Sequence, residues 1–154
     1  MKVPALMTAG RTYSKKTDMI RQIEFSLPEY RSGFHLVTMQ VLSAIGELPE
    51  AGLLNLFIKH TSAGLTINEN ADPTVLSDFK AFFLDWIPEN YPKFEHTYEG
   101  RDDMPAHIKA SVVGQSLTIP ITNRQLNMGI WQGIYLCEFR HSGGRRKLVA
   151  TIYS

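Results

Sequence analysis

The sequence predicts an α+β domain with mostly antiparallel sheets, about seven strands and three helices. Several short segments alternate between apolar and polar residues or are almost wholly apolar, which is typical of strands. Three longer segments begin at a capping residue or a proline and end close to a glycine or a proline, which is typical of helices. Hydrophobic content of 44%, charged content of 20% and a length of 154 residues favour a single compact domain.

The strand pattern is clearest in two segments of the first half of the chain. Residues 19–27 alternate with period two. Residues 53–60 are almost wholly apolar, so we expect a strand covered on both faces that ends at His60. The predicted strands are, in order, 19–27, 34–37, 53–60, 65–70, 117–121, 130–140 and 146–153.

The predicted helices span 38–45, 74–86 and 103–113. Thr38 is the expected cap of the first helix, and Asp72-Pro73 supplies a cap and a first-turn proline for the second. We assign the apolar stripe of the second helix to the core. The stripe consists of Val75, Phe79, Phe82, Phe83 and Trp86.

Turn residues fix two further expectations in the second half of the chain. Pro120 lies inside a predicted strand and therefore predicts an edge position or a bulge. Ser142-Gly143-Gly144 separates the last two predicted strands, so we expect these two strands to form an antiparallel hairpin.

Bulk composition excludes some classes of function and divides the chain. Residues 1–18 are basic up to Asp18 and predict an arm that is disordered or serves in organelle targeting, whereas residues 19–154 form the domain. No apolar run approaches 18 residues, so we expect no membrane span. A net charge of +1 argues against nucleic-acid binding. The single Cys137 suits a reducing compartment, and we expect a cytoplasmic protein.

The stretch 98–111 combines acids, a glycine, a proline and a histidine around the start of the third helix. Pro105 is tolerated in a first turn, so Asp103 and His107 would lie four apart on one helix face. Asp103 is then either a helix cap or a ligand-binding acid, and both roles can coexist because a helix N-terminus attracts anions.

Two other positions offer polar groups where strands end. His60 is either a core histidine with satisfied hydrogen bonds or a ligand. Glu138 and Arg140 share a strand face with apolar residues, and they form either a solvent-exposed pair or part of a site. Two histidines and an acid can hold a divalent metal, although the 47 positions between His60 and His107 match no established zinc-site spacing.

Several ordered motifs resemble the YjbQ-like family, whose members are described as secondary thiamine-phosphate synthase enzymes. The resemblance covers about residues 19 to 152, nearly the whole domain. Two departures are the extension of residues 1–18 and Gly64, where many members carry a larger residue. The motifs are HTSAGLTINENADP (60–73), YEGRDDMPAHIKAS (98–111), SLTIP (116–120), GIWQGIYLCEFR (129–140) and GGRRK (143–147).

The resemblance implies a compact α+β fold, a homotrimer and a shared polar pocket. It also implies weak coupling of a pyrimidine diphosphate to a thiazole phosphate with loss of pyrophosphate. The residues that the family would place around the pocket correspond here to His60, Asp103, His107, Glu138 and Arg140. The alternative is a non-catalytic trimer that binds a phosphorylated metabolite or limits metabolite damage, since binding and turnover use the same residue types.

A mechanism can be stated as a hypothesis from these residue types. Departure of pyrophosphate calls for a metal or cations on the leaving group, so we assign a divalent ion, Zn or Mg, to His60, His107 and Asp103. Asp103, Glu138 and Arg140 are the catalytic candidates, with Glu138 either as acid/base or as the residue that fixes Arg140. The substrate-binding candidates are Arg140, Arg145, Asn68 and Gln132.

Overall fold

A computed structural model describes residues 20–154, and these residues form two antiparallel sheets and three helices. The larger sheet has the strand order β1-β8-β3-β5-β6 and the smaller one the order β2-β7-β4. The predicted α+β fold of a single domain is therefore confirmed. In chain order the elements are β1 Ile20–Leu27, β2 Gly33–Leu36, α1 Thr38–Ile45, β3 Ala51–Ile58, β4 Ala63–Glu69, α2 Pro73–Trp86, α3 Asp103–Val113, β5 Ser116–Thr122, β6 Gln125–Leu126, β7 Gln132–Glu138 and β8 Arg146–Tyr153.

Strand β7 lies at the centre of the fold and is buried from Gly133 to Glu138. Ile134 and Leu136 point into a core that the larger sheet and α1 complete. Cys137 and the following Phe139 point the other way, into a second core with residues of α2 and α3. Because side chains alternate along a strand, β7 lies between two apolar layers, and the order of layers is sheet, sheet, helices.

The chain leaves one sheet and enters the other between β7 and β8, so the predicted hairpin is wrong. β7 pairs with β2 and β4, whereas β8 pairs with β1 and β3. The connecting residues 139–145 are too many for a two-residue hairpin turn, and they carry the chain across the gap between the sheets. Turn residues signalled the change of direction but not the change of sheet.

Helix α2 covers less of the core than its stripe predicts. Phe83 is buried, but Phe79, Phe82 and Trp86 are 37%, 64% and 54% exposed. The helix lies against β2, an edge strand of the three-stranded sheet, where Phe34 contacts Phe79 and Phe83. One edge strand cannot cover a broad stripe, so the assignment of the whole stripe to the core is wrong.

The sequence patterns predicted the helix ends closely and the end of one strand less closely. Asp72 caps α2 by accepting a hydrogen bond from Thr74 N at 2.8 Å, as predicted. Thr38 is not a cap but the first residue of α1, and its hydroxyl accepts from Ile134 N. Strand β3 ends at Ile58, so His60 lies beyond it. Pro120 lies on β5, whose outer neighbour β6 is only two residues long, and this agrees with an edge position.

Two further predictions concern the N-terminal arm and membrane spans. The arm of residues 1–18 lies outside the described residues. Within residues 20–154, no helix has the length and apolar character needed to cross a bilayer.

Gly64 is sterically required on β4, where a Cβ would come within 2.8 Å of Gly114 O and 3.0 Å of Val113 Cγ1. We expect Gly64→Ala to lower the free energy of unfolding by about 1–3 kcal/mol, because it overpacks a close contact between β4 and the end of α3. Urea denaturation measures this loss. Gly129→Ala is the matched control, since a Cβ there meets its nearest neighbour at an ordinary 3.4 Å. Equal stability of the two variants would contradict the steric argument.

Candidate metal centre

Asp103 is the first residue of α3 and is only 1% exposed. The residue that precedes the helix is Asp102, so the interpretation of Asp103 as the cap is wrong. Its carboxylate instead contacts three side chains. Oδ1 accepts a hydrogen bond from Arg140 Nη1, while Oδ2 lies 2.7 Å from His96 Nε2 and 3.2 Å from His107 Nε2.

The orientation of the His107 ring is fixed by the main chain of Thr61. His107 Nδ1 lies 3.0 Å from Thr61 O, and because a carbonyl oxygen only accepts, Nδ1 must carry a proton. In the neutral ring, Nε2 then presents its lone pair to the carboxylate of Asp103. Two lone pairs at 3.2 Å repel, so the contact requires either an imidazolium or a cation between the two groups.

His96 completes the cluster and was missed by the sequence analysis. It lies in the loop between α2 and α3, where no periodic pattern marks it. The loop turns back toward α3 at Gly100, whose φ of +111° is a conformation that favours glycine. The only available signal was the spacing of His96, Asp103 and His107, seven and then four positions apart.

The donor set of this cluster fits a divalent metal. One ligand atom each from His96, Asp103 and His107 lies within 4.8 Å of the others, the only such group of three among residues 20–154. Two imidazole nitrogens and one carboxylate oxygen suit Zn²⁺ or a similar first-row ion better than Mg²⁺, which prefers oxygen ligands. The side chains of His96 and His107 are 47% and 31% exposed, so the cluster is open to solvent on one side.

Arg140 organises the acids of the centre. Its Nε donates to Asp102 Oδ2 at 3.0 Å, its Nη1 to Asp103, and its Nη2 to Glu99 O at 2.7 Å. Burial opposes ionisation of Asp102, but hydrogen bonds from His141 N and Arg140 outweigh it and lower the pKa of Asp102. All three nitrogens of the guanidinium are thus engaged by the protein, which leaves Arg140 poorly placed to bind phosphate.

Glu138 is fully buried and paired with Arg146, a residue that the sequence analysis did not select. Arg146 Nε and Nη2 donate to the two carboxylate oxygens of Glu138, each at 2.6 Å. The Oε1 atom also accepts from Arg140 N at 2.9 Å. With both oxygens engaged, Glu138 fits the alternative in which it fixes Arg140 better than it fits an acid/base. The missed signal was Arg146 at the start of the last apolar strand.

The structure does not bring His60 into the ligand set. His60 Nε2 accepts from Lys147 N at 2.8 Å, and Nδ1 lies 3.3 Å from Arg146 Nη1. Burial and the positive charge of Arg146 lower the pKa of His60 and favour its neutral form. His60 thus belongs to the Glu138–Arg146 cluster, and the expected convergence of His60 with Asp103 and His107 is replaced by that of His96.

The remaining substrate-binding candidates are scattered. Where β4 pairs with β7, Asn68 lies opposite Gly133, and Gln132 lies opposite Glu69. Both candidates are thus at the first end of β7, whereas Glu138 is at its last end. Gln132 and Glu138 are six positions apart along the strand, roughly 20 Å. Arg145 is exposed in the connection before β8 and forms no hydrogen bond or ion pair with the residues that the structure describes. A single pocket within one chain therefore does not contain all the predicted residues.

Comparison with known proteins identifies the family of the chain. The sequence model of a family described as "UPF0047 protein YjbQ-like" matches residues 22–154. A Salmonella typhimurium protein named UPF0047 protein YjbQ is 50% identical over 133 residues, which is 85% of this chain and 96% of the relative.

The chain belongs to the YjbQ-like family.

Solved structures support the same assignment for the fold. A crystal structure of an uncharacterized YjbQ/UPF0047 family protein from Clostridium acetobutylicum is 37% identical, with a TM-score of 0.71, and the match covers 86% of this chain and 99% of that one. The crystal structure of a protein from Sulfolobus solfataricus, described as "YbjQ-like", shows the likeness of fold alone: it is 19% identical, with a TM-score of 0.77, over 89% of this chain and 99% of that one. These names state no reaction, so the activity of this YjbQ-like chain must be argued from its site.

The low pKa of His60 gives a measurable pH dependence. Below the ordinary His pKa of 6.5, the unfolded chain binds a proton that the folded chain does not, so stability falls as the pH drops through this value. We expect His60→Asn, which retains an acceptor for Lys147 N, to reduce the slope of stability against pH between about pH 5 and 6.5 by less than one proton. Urea denaturation at several pH values measures the slope. Identical slopes in the two proteins would contradict the shift.

Proposed function

We propose that this YjbQ-like protein is a metal-dependent enzyme of the secondary thiamine-phosphate synthase type. In this proposal it couples a pyrimidine diphosphate to a thiazole phosphate and releases pyrophosphate, and the activity is weak. Family membership and the resemblance of its motifs support the reaction class. The free, buried Cys137 is compatible with the cytoplasmic location that is part of the proposal.

One observation carries the metal assignment. His96 Nε2 and His107 Nε2 converge on the same oxygen of Asp103, and Thr61 holds a proton on the far nitrogen of His107. This is the arrangement by which proteins orient a histidine ligand, with the second ring nitrogen bonded to a carbonyl. Three protein ligands with an exposed side are typical of catalytic rather than structural zinc sites, because an open position remains for water or substrate.

In the proposed reaction, one bond breaks, one bond forms, and named side chains support the centre. The bond from carbon to the diphosphate oxygen breaks, the oxygen keeps the electron pair, and the thiazole nitrogen supplies the pair for the new bond. A divalent ion at the centre would stabilise the charge that builds on the diphosphate. Arg140 orients Asp102 and Asp103, and Glu138 holds the main chain of Arg140. No side-chain nucleophile is required.

Metal content and turnover test the proposal together. We expect the purified protein to bind about one Zn²⁺ per chain, and we expect His96→Gln, His107→Gln and Asp103→Asn each to weaken Zn²⁺ binding and product formation at least about tenfold. His35→Gln is the control, since the ring of His35 bonds the main chain of Arg31 and lies outside the ligand set. Circular dichroism checks folding of every variant.

The outcomes separate the alternatives. Zn²⁺ bound with no product formed from the pyrimidine and thiazole substrates would favour the non-catalytic role, a protein that binds a phosphorylated metabolite. Unchanged Zn²⁺ content in all three variants would remove the metal centre from the proposal.

We also propose the homotrimer that the family resemblance implies. Exposed aromatic side chains support it, because Phe82 and Trp86 on α2 and Trp131 beside β7 are each more than half exposed. Light scattering should then give a mass about three times the 17.4 kDa of one chain. A mass near 17.4 kDa at micromolar concentration would contradict the trimer.

A further inference from the structure

A cleft of about 250 Å³ adjoins the metal centre. It is formed by the loop between α2 and α3, and its lining includes His96, Gly100 and Arg101. His96 belongs both to this lining and to the ligand set. A small molecule in the cleft would therefore reach the centre directly. The volume lies just below that of ordinary ligand pockets and suits a fragment of one ring and one charged group.

Arg101 is the cation of this cleft that the protein leaves unused. It is exposed, and it forms no hydrogen bond or ion pair with any residue of 20–154. Arg140, by contrast, has every guanidinium nitrogen engaged. The preceding residue, Gly100, has a φ of +111°, and a Cβ there would come within 3.0 Å of Asp102 Oδ1. The turn therefore favours glycine at this position, directly before Arg101. An anion beside the centre thus has Arg101 as its available partner.

Two aromatic side chains also line this cleft. Tyr91 and Phe94 form a tilted pair with ring centroids 4.9 Å apart, and Tyr91 is 45% exposed. Glu89, the carboxylate of the lining, is held by His141 Nε2 at 2.7 Å. Aromatic rings and an unpaired guanidinium in one cleft suit a ligand with a planar uncharged part and an anionic end.

We propose that this cleft is the subsite for the phosphate-bearing ligand, with Arg101 bound to the phosphate and the organic part of the ligand against Tyr91 and Phe94. One part of the inference rests on the proposed function, namely that the reacting end of the ligand lies beside His96. It replaces Arg140 and Arg145 by Arg101 as the residue that contacts phosphate.

A second cleft provides a contrast. It has a volume of about 520 Å³ and is lined by Glu47, Glu50 and Arg124, among others, but by no member of the ligand set. Arg124 Nε is paired with Glu50 at 3.2 Å, so its charge is already compensated and two carboxylates face any anion. This cleft does not suit phosphate, and Arg124 offers a matched control for Arg101.

Calorimetric titration of the Zn²⁺-loaded protein with inorganic pyrophosphate tests the role of Arg101. We expect Arg101→Gln to weaken binding at least about tenfold, Arg101→Lys to weaken it less, and Arg124→Gln to leave it unchanged. Zn²⁺ content is measured for each variant and should not change. Equal affinities of wild type and Arg101→Gln, or no binding of pyrophosphate by the wild type, would overturn the proposal.

Two phosphate esters test the aromatic wall. We expect phenyl phosphate to bind more tightly than methyl phosphate, and Tyr91→Leu to reduce this preference at unchanged Zn²⁺ content. A preference that Tyr91→Leu does not alter would overturn the placement of the organic part. If the wild type binds no Zn²⁺ but its pyrophosphate binding still depends on Arg101, the proposed metal enzyme fails and the phosphate subsite stands.

Discussion

The buried ion pair between Glu138 and Arg146 links the two sheets and fixes the approach of the chain to the candidate centre. Glu138 ends β7 in one sheet, and Arg146 begins β8 in the other. A buried carboxylate and guanidinium are tolerated only with complete hydrogen bonding, and here the guanidinium donates twice to Glu138 and once to Ser62 Oγ. Gly143 packs against both side chains of the pair. A Cβ at Gly143 would overlap them, so a larger residue there would force one of these side chains to move. The connection between the sheets is therefore held at both ends.

From this pair a continuous set of contacts reaches the histidines. Glu138 accepts from the main chain of Arg140, Arg140 donates to Asp103, and Asp103 meets His96 and His107. The main chain of Thr61, next to Ser62, orients His107 from the other side. The ligand set is thus supported from both sheets and from α3, although only His107 and Asp103 share an element. Such support restrains side chains that would otherwise be mobile at a solvent-exposed surface.

The sequence was informative where structure is local and uninformative where distant segments meet. The start of α2 at Asp72-Pro73 and the span of α1 depend on neighbouring residues, and both were predicted closely. The partner of β7 depends on which sheet the chain enters after Gly144, and no residue pattern encodes that choice. His96 lies in an irregular loop, and the partnership of Arg146 with Glu138 spans two sheets, so neither had a periodic signal. The motif drew attention to Asp103 and His107, which the structure brings into contact, but its interpretation of Asp103 as the cap was wrong.

The charges around Arg140 favour the cation that we propose at the centre. Three carboxylates, of Glu99, Asp102 and Asp103, lie within 4.0 Å of one guanidinium, so three negative charges against one positive charge leave an excess of two. Glu99 is largely exposed and water screens it, but Asp102 and Asp103 are mostly or wholly buried and must be compensated locally. The divalent ion proposed at His96, Asp103 and His107 would offset the negative charge that Arg140 leaves uncompensated. The proposed phosphate ligand would add further negative charge, which a second cation within reach would stabilise. We propose Arg101 for this role, because it lines the same cleft as His96 and is unpaired within residues 20–154.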